Sequence, residues 1–260
     1  MLGVGSRVRN AAALVCCALL ASPLACSHTL PSLDRRPADQ VTLPDVFVDP
    51  GAGLVRVHER TDLPPALRAL VDAIGLTSSG CTATHVGGGR VLTAGHCLRS
   101  QQHCAQTLVH WGYLEGRAPS MSSRCTRVLA AEREMGLDYA VFQVDQPPEV
   151  AIPIGPAPVS DARYYTVTMM GYPSGAPLHW SGLCPVVNPY ELPSGLSHAL
   201  ARATMFHLCP SAKGSSGSPL IDPVTLHVIG IHMGAMPPWN LATPLMRSGS
   251  SLARADYPRL

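Results

Sequence analysis

The 260-residue chain carries 46% hydrophobic and only 14% charged residues, which excludes a disordered protein and provides for a sizeable core. A formal net charge of +2, with Lys and Arg thinly scattered, leaves no basic stripe for a nucleic-acid backbone. The 23 glycines and 25 prolines, beside 5% aromatic residues, suit many short strands joined by turns better than long helices.

Arg7 and Arg9, an apolar stretch from Ala11 to Leu20, and small residues with Pro23 up to Cys26 read as a secretory signal peptide over 1–26. That apolar run falls short of the ~18–20 residues a spanning helix needs, so no membrane span is expected. The run Ser22-Pro23-Leu24-Ala25-Cys26 leaves a second reading, a lipoprotein site with Cys26 as lipid anchor. Beyond it remain Cys81, Cys97, Cys104, Cys125, Cys184 and Cys209, an even set for which an oxidising compartment makes disulfides the default. Zinc competes, because His103 precedes Cys104 and His207 lies near Cys209, but no paired C-x-x-C or H-x-x-x-H spacing supports it. No metal and no cofactor are expected.

Residues 27–66 contain Pro31, Pro37, Pro44, Pro50, Pro64 and Pro65 with only short apolar runs. They read as a pro-segment or tether, with an arm packed on the following domain as the alternative. Leu67 to Leu76 has mixed apolar spacing; Gly75 argues against a long helix, and a strand is expected. Cys81 to Val86 and Arg90 to Thr93 are β-prone runs joined by Gly87-Gly88-Gly89, a hairpin that leads into Thr93-Ala94-Gly95-His96-Cys97. Leu137 to Val144 is an apolar strand opened by one acid, Asp138, whose burial is tolerable if it is hydrogen-bonded, and a histidine N–H is a suitable partner. Glu132 and Glu134 sit in a polar, loop-like stretch and are weaker candidates, and Asp145 closes the run instead of opening it. Prolines from Pro147 to Pro158 then mark a crossing between two lobes, about 67–150 and 151–255, before a new β-prone run at Tyr164 to Thr168.

Gly214-Ser215-Ser216-Gly217-Ser218-Pro219 would alone read as a flexible turn. Its standing depends on partners, because a serine hydroxyl needs a histidine base and usually a carboxylate that holds the histidine in one tautomer. Small neighbours also let the Gly214 and Ser216 N–H groups approach an oxyanion. The Thr-Ala-Gly-His-Cys run resembles the histidine motif of the chymotrypsin-like serine peptidases, and Cys81 stands 16 positions before Cys97, the spacing of that family's histidine-loop disulfide. Asp138, followed by alanine and hydrophobic residues, has the form of the family's acid motif. Gly171-Tyr172-Pro173, Gly214 to Pro219 and Gly230-Ile231-His232 are similar to motifs of its glutamyl-endopeptidase branch of secreted bacterial enzymes. The order His96, Asp138, Ser216 is the chymotrypsin-type order and counts against an α/β-hydrolase.

The resemblance, over about 70–250, implies an all-β fold of two six-stranded antiparallel Greek-key barrels with the active site in the cleft between them. It implies a secreted, monomeric serine endopeptidase acting on polypeptides: His96 as base, Asp138 as orienter, Ser216 as nucleophile, Gly214 and Ser216 as oxyanion hole. The alternative is an inactive binding protein on the same scaffold. No acid lies in Pro210 to Lys213, which counts against a preference for Lys or Arg. His232, matching the family's Gly-Ile-His motif, is expected to hold a substrate carboxylate with Ser211, implying cleavage after Glu or Asp, with a histidine that only supports the pocket wall as the alternative. Lys213 adds positive potential or is simply solvated. Met233, Gly234 and Ala235 are expected to run as an edge strand against the substrate. Ser215 stands where trypsin-like enzymes carry the aspartate that captures a new N-terminus, so activation by cleavage would work otherwise, for example by releasing 27–65 from the cleft. Beyond Cys81–Cys97, nearest-neighbour pairing gives Cys104–Cys125 and Cys184–Cys209.

Overall fold

Short β-prone runs punctuated by glycine and proline close here into two barrels rather than an open sheet. The structure is a computed structural model and describes residues 53–134, 137–156, 165–188, 192, 196 and 198–245. The expected signal peptide, the Cys26 lipid site and residues 27–52 lie outside the described residues, as does the end of the expected domain at 246–255. All described residues belong to one compact unit, Val46–Leu260.

The first barrel is built from β2 (Ile74–Thr77), β3 (Thr82–Gly87), β4 (Arg90–Thr93), β5 (Leu108–Trp111), β6 (Met121–Glu134) and β7 (Leu137–Val144). These strands close in the order β2-β3-β4-β7-β6-β5. The β3–β4 hairpin turns on Gly87, Gly88 and Gly89, whose φ values of 102°, 60° and 70° are ones that residues with a Cβ rarely adopt. Ala83, Val91, Val109, Trp111, Ala140, Phe142 and Val144 fill the interior around the Cys104–Cys125 disulfide.

The second barrel comprises β8 (Tyr165–Gly171), β9 (His179–Val186), β10 (Met205–His207), β11 (Pro219–Ile221), β12 (Val228–Met236) and β13 (Trp239–Pro244). They run β9-β10-β13-β12-β11-β8, and β8 pairs back onto β9. Its core of Val167, Met169, Met205, Leu220, Ile229 and Ala242 includes the Cys184–Cys209 disulfide. All pairings between these strands are antiparallel, and the three disulfides are those expected. The thiols of Cys104 and Cys209 are consumed in these disulfides. No helix among the described residues is long and apolar enough to cross a membrane.

Two expectations change. Leu67 to Leu76 is not one strand: a helical turn α1 (Pro65–Arg68) and a 3-10 segment (Ala69–Ala73) precede β2, which starts at Ile74. Pro65 favours the helical start, and Leu67, Leu70, Val71 and Ala73 all find buried positions in that turn. Gly75 does lie in the strand, where a Cβ would meet the Trp111 ring at 2.7 Å. Glu132 and Glu134 are not in a loop but at the end of the 14-residue strand β6, whose inward residues Ser123 and Cys125 alternate with outward Arg124 and Thr126.

Residues from Gly53 onward are part of the packing. β1 (Val55–Arg56) adds to β9, and the Val57 N–H donates to the Leu178 carbonyl at 2.9 Å. Val57, Leu63, Leu67 and Val71 then join Ile152, Tyr172, Leu178, Ile221 and Ile231 in the apolar cluster shared by both barrels. Burying those first four side chains contributes roughly 6–12 kcal/mol of gross hydrophobic stabilisation.

Candidate active site

His96 sits in a single 3-10 turn, Gly95–Cys97, directly after β4. Gly95 is needed there, since a Cβ would meet Asp138 Oδ1 and the Tyr139 carbonyl at 2.9 Å. The Cys81–Cys97 disulfide ties the turn to β3. Asp138 opens β7 and accepts twice from His96: from Nδ1–H at Oδ2, 2.5 Å, and from the backbone N–H at Oδ1, 2.8 Å. Its own N–H donates to Thr243 Oγ1 at 2.8 Å, a contact reaching from the second barrel. A carboxylate with both oxygens engaged fixes the ring in the tautomer whose Nε2 carries the lone pair. Glu132 makes no bond to His96.

Ser216 lies on the second barrel in the loop between β10 and β11. The peptide groups of this loop are almost completely committed. The Lys213 carbonyl accepts from the Ser174 N–H, the Gly214 carbonyl from Thr82 Oγ1 at 3.2 Å, the Ser215 carbonyl from the Ser218 N–H at 3.0 Å, and the Ser216 carbonyl from the Thr82 N–H at 2.9 Å. Ser215 and Gly217 N–H groups donate to the Ala212 and His232 carbonyls at 2.9 and 2.8 Å. From Gly214 to Ser218, the N–H groups of Gly214 and Ser216 alone have no partner among the described residues. Orphaned backbone donors are rare in folded chains, and of these two one is on Ser216 itself and the other two residues before it. Gly214 has φ +86°, and a Cβ there would meet the Tyr172 carbonyl at 2.9 Å. His96 and Ser216 side chains are not hydrogen-bonded to each other; in unliganded hydrolases such bonds often tighten only with substrate.

Ser215 is buried, and its hydroxyl accepts from the Ala212 N–H at 3.1 Å. The loop is therefore closed by its own residues. Cys81, His96 and Cys97 form the sole three-residue cluster of metal-ligand types among the described residues, and both thiols are consumed in the disulfide.

His232, 2% exposed on β12, meets a second histidine two residues before Cys209. His207, on β10, is fully buried and lies 3.2 Å from it, Nε2 to Nδ1. The Cys209 N–H donates to His207 Nδ1, so His207 carries its proton on Nε2 and donates to His232 Nδ1. His232 is then left with Nε2–H, which has no partner among the described residues. Burial, assisted by His96, pulls His232 down to about 4, and burial pushes His207 well below its ordinary value, so both rings are neutral at pH 7. Ser211 Oγ donates to Asn240 Oδ1 at 2.9 Å, and Asn240 Nδ2 donates to the Cys209 carbonyl at 2.6 Å. Beyond His232, β12 bulges at Met233, and its pairing with β11 ends at Ile231. The β11-facing edge of Met233, Gly234 and Ala235 has no strand partner among the described residues, and a Cβ on Gly234 would meet nothing within 4 Å.

The buried histidines set a stability profile. A folded-state value below the unfolded one means that the unfolded chain binds more protons between the two, so stability is complete above pH 6.5 and falls as pH drops towards 4. His232 alone contributes on the order of 3 kcal/mol across that window, with His207, His85 and His179 acting in the same direction. Urea unfolding should accordingly give a midpoint clearly lower at pH 4.5 than at pH 7. An unchanged midpoint would contradict the neutral pair.

A cleft between two closed antiparallel barrels, with a His–Asp pair on one and a serine loop carrying two free N–H groups on the other, defines a chymotrypsin-type peptidase architecture. The profile of the trypsin-like peptidase domain matches residues 81–231, and the chain belongs to that family. Among solved structures it is similar to a Glu endopeptidase in complex with MPD (17% identity, TM-score 0.57, covering 78% of this chain and 94% of that one). It is similar also to the inactive form of the protease Rv3671c (18%, TM-score 0.55, 74% and 92%), which comes from M. tuberculosis H37Rv. A third is the thermostable serine protease AL20 from an extremophilic microorganism (20%, TM-score 0.51, 68% and 92%). No curated protein sequence matches the chain. The protein is a chymotrypsin-like serine endopeptidase, and its substrates are polypeptides.

Proposed function

We propose that His96, Asp138 and Ser216 form the catalytic triad, that the Gly214 and Ser216 N–H groups form the oxyanion hole, and that the enzyme is exported and cleaves after Glu or Asp. The observation that carries the catalytic part is the pair of orphaned N–H groups beside Ser216, together with the doubly bonded His96–Asp138 pair. Ser216 Oγ attacks the scissile carbonyl carbon as His96 Nε2 takes its proton. The carbonyl oxygen becomes an oxyanion facing the two N–H groups. His96 returns the proton to the leaving amine, and water, activated by the same ring, releases the acyl group. Met233 to Ala235 offers its open edge to the substrate backbone.

The acidic preference rests on His232. A neutral ring locked by His207 with its Nε2–H free is a donor for a carboxylate. Ser211 has its proton engaged by Asn240 and has to rotate to assist. A peptide library should show cuts after Glu or Asp that weaken about 10- to 200-fold in His232→Ala, the range one pocket contact commands. Cuts spread evenly over apolar residues would overturn the pocket assignment. Export agrees with the three disulfides and with the apolar segment up to Leu20. N-terminal processing falls before Gly53 on this reading, because Val57 and Leu63 belong to the core. Ser215 leaves no acid to capture a new terminus, so activation does not use that switch.

A further inference from the structure

Thr82 is a polar residue with no exposed surface, placed on β3 beside Cys81. Its hydroxyl accepts from the Tyr172 N–H at 3.0 Å and donates to the Gly214 carbonyl at 3.2 Å. Its N–H donates to the Ser216 carbonyl at 2.9 Å, and its own carbonyl accepts from Thr93 Oγ1 at 2.7 Å. One residue of the first barrel thus holds carbonyls on both residues of the second whose N–H groups are free. Of the atoms that anchor the four carbonyls from Lys213 to Ser216, Thr82 Oγ1 is the only one on a buried side chain.

The Tyr172 N–H that Thr82 accepts begins the turn Pro173–Gly175. In that turn Ser174, at φ 54° and ψ 25°, aims its N–H at the Lys213 carbonyl. The Lys213 carbonyl and the Gly214 N–H are opposite ends of one trans peptide, so holding the first turns the second the other way. Thr82 therefore ties together the turn that orients this peptide and the loop that contains it. On its other side, the Cys81–Cys97 disulfide joins the neighbour of Thr82 to the neighbour of His96. A short frame of covalent and hydrogen bonds runs from His96 through Thr82 to Ser216.

We propose that Thr82 is a positioning residue for the oxyanion hole: its hydroxyl keeps the Gly214 N–H aimed at the developing oxyanion, and its N–H sets Ser216 across the cleft from His96. This rests on the reading of Ser216 as nucleophile with Gly214 and Ser216 as oxyanion donors. Preorganised donors act through their alignment, and losing one outright costs about 100- to 1000-fold in kcat. Misaligning one costs part of that.

Thr82→Val removes the hydroxyl at nearly constant volume, and Thr82→Ala does so while leaving room for water. Rates are normalised by active-site titration, so that only folded enzyme is counted. Both variants should lose about 10- to 100-fold in kcat with KM within about twofold. A peptide aldehyde, whose adduct places an oxyanion in the hole, should lose affinity by the same factor, whereas a cleaved product peptide should bind as before. Thr82→Ser, which restores the hydroxyl, should recover kcat. Wild-type kcat in either hydroxyl-less variant, a loss confined to KM and product binding, or a loss that Thr82→Ser does not recover would each overturn the proposal. Ser216→Ala, measured in parallel, separates the two readings. If it stays active, the triad assignment fails and Thr82 with it. If it is dead while Thr82→Val is unimpaired, Thr82 alone is excluded.

Discussion

Ser216→Ala should lower kcat by about a million-fold and abolish labelling by a fluorophosphonate probe, with the fold unchanged. The magnitude follows from what the variant retains. It keeps the backbone N–H groups of the proposed oxyanion hole, and His96 is still held by both oxygens of Asp138. What disappears is the proposed nucleophile, so on that assignment the residual rate is that of a site which binds and polarises the substrate but cannot form an acyl-enzyme, some 10³–10⁴-fold over the uncatalysed reaction. Ser216 Oγ makes no hydrogen bond with any described residue, so alanine orphans no partner and the melting temperature should stay within a few degrees. Retention of the label in Ser216→Ala would move the nucleophile elsewhere.

The parts of the site that are legible in the sequence are those whose geometry is made by near neighbours. The glycine turn at 87–89 specifies the β3–β4 hairpin, Gly95 makes the space that His96 and Asp138 share, and Gly214 carries the positive φ of the serine loop. Each leaves a short recognisable run. The residues that support the site do so over distance: Thr82 reaches Gly214 across 132 positions, Thr243 reaches Asp138 across 105, and His207 reaches His232 across 25. A threonine in a strand carries no local mark of the carbonyl it will hold, because the partner is chosen by how two barrels dock. His207 offers one signal, its place two residues before Cys209, and that signal points to a metal rather than to a second histidine. The helical turn before β2 was hidden for a related reason. In 67–73 the apolar residues satisfy a 3-10 or α spacing only in the presence of the inter-barrel core that receives them.

Asp138→Asn should cost about 10⁴-fold in kcat while leaving the protein folded, a magnitude measured for the same exchange in another triad. The local geometry explains why so conservative a change is so damaging. Asp138 Oδ1 accepts the His96 backbone N–H at 2.8 Å, and this bond is retained if the asparagine keeps its carbonyl oxygen on that side. Its NH2 group must then face His96 Nδ1, where Oδ2 stood at 2.5 Å. Two donors cannot share that contact, so the ring moves its proton to Nε2 and offers Nδ1 as the acceptor. In the proposed triad Nε2 takes the Ser216 proton, and in this tautomer its lone pair is gone. The opposite amide orientation instead sets the NH2 against the His96 backbone N–H and loses that bond, which displaces the turn itself. The first orientation takes the base away, and the second keeps an acceptor opposite Nδ1–H but shifts the ring by displacing the turn that carries it. The oxyanion donors are untouched, so KM and the binding of a product peptide should change little, and the loss should fall on kcat and on the rate of fluorophosphonate labelling together. A variant with near-normal labelling would show that Asp138 does not orient the base, and Glu132, half-buried on the neighbouring β6, would become the residue to test.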